Sequence, residues 1–180
     1  MELNFNGVVE STQKPKLQPG IHEVEITGVT DGTSKNGQPT IEIGFVTTNG
    51  QYEHIEKMSA NPVPSAGKEK SALDVALSKI THIATKVVTR EELEAANSTD
   101  KLNALLTGKT LRMKFIGEES EYNNSTYVNT KIGFPTFAET IVEGEPTKLV
   151  FSKDNAWDYK PLAKMPTPTI PGVPTMQIRL

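Results

Sequence analysis

The chain has 180 residues, of which 36% are hydrophobic and 23% charged, with a formal net charge of −3. That length supports one domain of ordinary size with a real core, and the mildly acidic balance excludes a polybasic binder, so any nucleic-acid site must be a local patch. Cysteine is absent, which removes disulfides, thiolate catalysis and cysteine-based zinc sites together.

From the N-terminus, "MELNFNGVVESTQKPKL" holds no apolar run of the kind a signal peptide needs, and no later run approaches membrane-spanning length. The expectation is a cytoplasmic protein. Residues 1–19 read as an arm ending at Pro19-Gly20, a strong turn signal. "IHEVEITGV" then places His22, Val24 and Ile26 on one face and Glu23 and Glu25 on the other, the period of a half-buried strand. The loop "TDGTSKNGQP" reverses the chain into "TIEIGFV", where Ile41, Ile43 and Phe45 alternate with Glu42 and Gly44. Asn49-Gly50 is the preferred dipeptide of a type I′ hairpin, and "QYEHIEKM" returns from it. Together these runs predict an antiparallel meander.

The pattern changes at "SANPVPSAGKEK", a connection rich in Pro, Gly and Ser. Leu73, Leu77, Ile80, Ala84 and Val87 follow at helical spacing in "SALDVALSKITHIATKVV". Thr89 with Glu92 has the form of a capping box, so "REELEAAN" is a second short helix. Asp100 is positioned to cap a third, "KLNALLT", with Gly108 as its stop. Strand alternation resumes in "GKTLRMKFIGEESEYNNSTYVNT": Leu111, Met113 and Phe115 face a core, and Arg112 and Lys114 face outward. "TYVNTKIGF" supplies a fifth strand with Val128, Ile132 and Phe134 on one face. From about residue 142 the chain is turn-rich, and it ends in a tail with prolines at 161, 166, 168, 171 and 174.

Three strands, a helical insertion over about residues 71–107 and two further strands follow the order of the OB-fold, a five-stranded Greek-key barrel that commonly binds oligonucleotides. The expected organisation is therefore mainly β: an arm over 1–19, an OB-fold domain over 20–141, and a C-terminal extension over 142–180. Fold alone does not assign function.

"LQPGIHEVEITGV", "KLNALLTGKTLRMKFIGEESEYNN" and "YVNTKIGFPTFAETI" together resemble phage-encoded single-stranded DNA-binding proteins of the OB-fold type, in pattern and order across most of residues 17–141. The resemblance implies a protein of phage replication or recombination that acts in the cytoplasm of a bacterial host. Many such proteins end in an acidic tail that recruits replication partners. This chain departs from that pattern, ending "PTMQIRL" with no acid in its last 20 residues.

Single-stranded DNA is held by cations along its backbone and by aromatic rings stacked on its bases. Arg112, Lys114, Tyr127 and Lys131 are suitable types on adjacent strands, and Tyr122 lies in the loop between them. Tyr52 and Lys57 on the third strand, Lys35 in the first hairpin loop and Trp157 in "SKDNAWDYK" extend the candidate set. His54 shares a face with Tyr52, Glu56 and Met58, whereas Lys57 shares the other with Ile55, so only part of that strand can meet DNA. The competing reading is that Arg and Lys keep a barrel exterior soluble and that Trp157 packs against the barrel. The acidic cluster "EESE" at 118–121 reads as a solvated loop.

Enzyme chemistry finds little support. His22, His54 and His82 lack metal-ligand spacing, and "SAGKEKSA" lacks the glycine pattern of a phosphate loop. No cofactor or metal is expected. The functional expectation is a non-catalytic single-stranded DNA-binding protein, with possible homo-oligomers and phage or host replication and recombination proteins as partners. The alternative is a protein-interaction or virion-associated module that docks through its helical insertion and Pro-rich tail.

Overall fold

Period-two alternation produces strands where the sequence places them. In the computed structural model, which describes residues 13–163, β1 (Gly20–Thr33), β2 (Pro39–Thr47) and β3 (Glu53–Ser59) form the antiparallel meander. β1 buries Val24 and Ile26, then Val29. The switch from even to odd positions follows a bulge between Ile26 and Gly28, where the register with β2 shifts. Ile41, Ile43 and Phe45 face the same core from β2.

The turn at Asn49-Gly50 differs from the expected type I′, which needs positive φ at both central residues. Only Gly50 has it (φ +73), and the turn is a longer one that Thr47 closes through its backbone N–H to Tyr52 O, 2.9 Å. The geometry of two successive positive φ values occurs instead at Asn123 (φ 50) and Asn124 (φ 59), joining β4 (Thr110–Tyr122) to β5 (Ser125–Ile132).

Three helices lie between β3 and β4 among the described residues. In α1 (Ala72–Ala84), Ser71 and Asp74 form a capping box, and Ala76, Ile80, Ile83 and Ala84 face the core. Leu77, placed on that face by its spacing, is 45% exposed. Thr89 and Glu92 cap α2 (Arg90–Ala95) reciprocally, as expected. For α3 (Thr99–Leu106) the cap is Ser98, and Asp100 sits in the first turn. No helix among the described residues is long and apolar enough to cross a membrane.

Two short strands, β6 (Ala138–Glu139) and β7 (Tyr159–Lys160), complete a seven-stranded sheet, and both pair with β4. The main path runs β3-β2-β1-β4-β5. The mainly β architecture and the helical insertion therefore stand. No backbone ladder joins β3 to β5 among the described residues, so by main-chain pairing the sheet is open there.

The last part of the expected arm belongs to the fold. Leu17 is 1% exposed; its N–H donates to Glu53 O (2.8 Å), and Pro15 O accepts from Glu53 N (3.0 Å). This segment straps the outer edge of β3 and reaches β5, where the Thr130 hydroxyl donates to Leu17 O (2.7 Å). The rest of the arm and the Pro-rich tail beyond residue 163 lie outside the described residues.

Candidate nucleic-acid interface

Alternation along β4 buries Leu111, Met113 and Phe115 as expected. The opposite face is not open, and this corrects the expectation for Arg112 and Lys114. Lys114 is only 9% exposed; its Nζ donates to Asp158 Oδ1 at 2.6 Å and sits 4.1 Å from the centroid of the Phe137 ring. Arg112 lies between Glu23 (2.6 Å) and Glu139 (2.7 Å), and its side chain is 13% exposed. Bonds to Glu139 and Glu23 raise its already high pKa. The physical reason is chain that returns from far away: β6 adds to one stretch of β4, β7 to another, and the residues around them cover the outer face. These cations hold the protein together and are not presented to a ligand.

Tyr122, Tyr127 and Lys131 share one face by register, since Ser120 pairs with Tyr127 and Ile116 with Lys131. Tyr122 is 69% and Tyr127 49% exposed. Lys131 is half exposed and pairs with Glu118, which also takes Lys160 at 3.3 Å. Those two lysines, Lys131 first, hold the Glu118 carboxyl below its ordinary range.

On β3 the two-face ambiguity resolves. Glu56 and Met58 are buried and His54 packs on the Phe45 and Phe115 rings, whereas Ile55 and Lys57 face out. Lys57 Nζ lies 2.6 Å from Glu42 Oε1, an exposed pair. Tyr52, in the turn before β3, is 39% exposed, and Lys35 is exposed in the loop between β1 and β2.

Trp157 does not pack against the sheet: it is 82% exposed, and Tyr159 is the residue buried instead. The Tyr159 hydroxyl donates to Glu119 Oε1 (2.7 Å) and Leu162 N to Glu119 Oε2 (2.9 Å). The acidic cluster is thus largely an anchor. Glu118 binds lysines and Glu119 ties down the C-terminal segment, a role with no sequence signal because its partners lie about forty residues away.

One concavity gathers part of the candidate set. A cleft of about 490 Å³ runs between β3 and β5, lined among others by Lys16, Glu53, Ile55, Lys57, Val128 and Lys131. It brings together Lys57 and Lys131, with Tyr127 adjacent along β5, and adds Lys16, which sequence reasoning did not single out because it sits in the supposed arm. Arg112 and Lys114 are not among its lining residues, nor are Lys35, Tyr122 and Trp157. No protein-family model matches the chain, and no curated protein matches it either.

Proposed function

We propose that the protein binds single-stranded DNA without catalysis, as an OB-type barrel whose seam lies at the β3–β5 cleft, and coats and protects the strand in replication or recombination. The observation that carries this reading is the path β3-β2-β1-β4-β5 with its helices after β3, the OB order cut at one point, with a cleft at the cut whose lining includes three lysines and two glutamates. Lys16, Lys57 and Lys131 would follow the phosphates while Tyr127 stacks a base. The pairs Lys57–Glu42 and Lys131–Glu118 are no obstacle. Exposed ion pairs contribute about 0–1 kcal/mol, so phosphate competes for their lysines at small cost.

A fluorescence-anisotropy titration of a mixed-sequence oligonucleotide, with unlabelled duplex as competitor, tests the reading. Single strands should win, and affinity should fall with salt. The triple change of Lys16, Lys57 and Lys131 to Ala should flatten the log–log salt slope by about 2, at about 0.7 per single-strand phosphate contact. Equal affinity for duplex, or a slope unmoved by the triple change, rejects it.

A second reading, a protein-interaction module, draws on the apolar side chains that the C-terminal segment leaves exposed: Phe134 at 56%, Val150 at 73% and Trp157 at 82%. Absence of any oligonucleotide binding in the same titration would favour it.

A further inference from the structure

At the β3–β5 seam, side chains do what a backbone ladder does elsewhere. Ile132 on β5 has both main-chain groups taken: its N–H donates to Glu56 Oε2 on β3 (2.9 Å), and its carbonyl accepts from Lys79 Nζ on α1 (3.0 Å). Lys79 Nζ also lies 3.5 Å from Glu56 Oε1, and His54 Nε2 lies 2.9 Å from Glu56 Oε2. Glu56 is 8% exposed, so these groups are its partners in place of bulk water. From β5, no ionisable side chain joins the cluster.

Among the described residues, no main chain pairs with the strand edges that face this cluster. Glu53 turns its N–H and carbonyl to the N-terminal strap, whereas Ala60 N bonds Pro39 O on the β2 side. Period two then turns the main-chain groups of Ile55 and Lys57 toward the seam. On β5, the direction of Ile132 N does the same for Val128 and Thr130. No backbone hydrogen bond crosses from β3 to β5 among the described residues.

We propose that this seam is a latch: Glu56 and Lys79 clasp the backbone of Ile132, and releasing the clasp parts β3 from β5 while the rest of the sheet stays folded. The contrast with the other junctions carries the argument. β1 and β4 share six paired residues and β4 and β5 share eight. Among the described residues the seam has only the clasp and the Thr130–Leu17 bond, and it runs along a cleft open to water. Release widens that cleft and uncovers the edges at Ile55 and Lys57 and at Val128 and Thr130, which no main chain pairs with among the described residues. Lys79 is presented from a firm support, because α1 is capped at Ser71 and buried through Ile80 and Ile83. The latch stands whatever the cleft binds.

Because the chain has no cysteine, Ile55→Cys and Asn129→Cys introduce the only two thiols, one on each side of the seam. Spin labels on them, read by pulsed electron resonance, report its width in the full chain. The parent should give one narrow distance distribution. Glu56→Gln, which keeps volume but loses the ion pair, and Lys79→Met, which keeps the helix, should each add a longer component, and Glu56→Ala should make it dominant. Amide exchange at Ile132 should rise about tenfold in Glu56→Ala, the loss of one charge-assisted bond, while Glu42 and Val46 in the β1–β2 ladder keep parental rates. Unchanged distances and exchange in Glu56→Gln and Lys79→Met overturn the proposal. So does an equal rise in exchange at Ile132 and at Glu42 and Val46 in those two variants, since opening would then be global unfolding.

Discussion

Lys114 Nζ lies 2.6 Å from Asp158 Oδ1, and neither residue is more than 9% exposed. A lysine on the outer face of a sheet has become an interior group because chain from 44 residues downstream covers it. Removing one member leaves the other charged and desolvated, which costs about 3–5 kcal/mol for a buried pair. Lys114→Ala and Asp158→Ala should each lower the free energy of unfolding by that order in urea titrations. The double change Lys114→Met with Asp158→Leu should cost clearly less than the sum, because no charge is left without its partner.

The cleft predicts the opposite behaviour for lysines of the same chemical type. Lys57→Ala and Lys131→Ala should leave stability nearly unchanged, since both ion pairs lie at the surface with the lysines about half exposed. Each should flatten the salt dependence of oligonucleotide binding by about 0.7 in slope. Tyr127→Ala should weaken binding by about 1–3 kcal/mol with an unaltered slope, because stacking carries no counterion release. A Lys114→Ala protein that still folds should keep the parental slope. Equal slopes for Lys57, Lys131 and Lys114 variants would remove the cleft from consideration.

That difference marks what was legible beforehand. Strand and helix positions were readable because alternation, helical spacing and caps are local; Thr89 with Glu92 announces a helix start from four residues alone. Alternation also sorts β4 correctly into Met113 and Phe115 inside and Lys114 opposite. It says only which face is opposite the core, and it is silent on whether Phe137 or Asp158 returns to cover that face. The same silence hid Lys16, whose place in the cleft depends on Leu17 reaching the core. Asn49-Gly50 carries the stronger sequence signal for such a turn because glycine adopts positive φ most easily, yet β4–β5 pairing up to Tyr122–Ser125 forces Asn123 and Asn124 into it.

The C-terminal segment should also respond to pH from both sides. Leu162 N–H and the Tyr159 hydroxyl hold the Glu119 carboxyl below its ordinary range, Lys131 and Lys160 do so for Glu118, and the Thr147 hydroxyl leads for Glu139, with Arg112 behind it. A carboxyl with a lower folded than unfolded pKa gives stability that is present above the unfolded value and lost as pH falls through the folded one. Tyr159 is raised by its bond to Glu119, so its contribution is present below the unfolded value and lost as pH rises through the folded one. The melting temperature should therefore fall in acid below the ordinary carboxylate range of about 4 and in base above about 10. Glu119→Gln should blunt both limbs. If both limbs match the parent, these bonds do not form in solution.

Gly117 tests how closely that segment seats. A Cβ there would meet Pro19 Cγ and Tyr159 Cδ2 at 2.6 Å and Tyr159 Cε2 at 2.8 Å, distances real Cβ atoms do not show. The glycine is required by space, because Tyr159 pairs with it in β7 and its N–H donates to Asp158 O (2.9 Å). Gly117→Ala should cost about 1–3 kcal/mol, as overpacking does, by pushing the Tyr159 ring off β4. Displacing Tyr159 also draws Asp158 from Lys114, so Gly117→Ala and Lys114→Ala should be non-additive when combined. Limited proteolysis should show new cuts within residues 142–163. Gly37→Ala is the control: its φ of +75 makes any side chain awkward, but nothing lies within 4 Å. It should cost about 1–2 kcal/mol from the left-handed backbone and add no cuts in the C-terminal segment. A Gly117→Ala protein with the parental urea midpoint and parental cleavage pattern would mean that Tyr159 does not lie against β4 in solution, and the covered face of Lys114 would have to be abandoned with it.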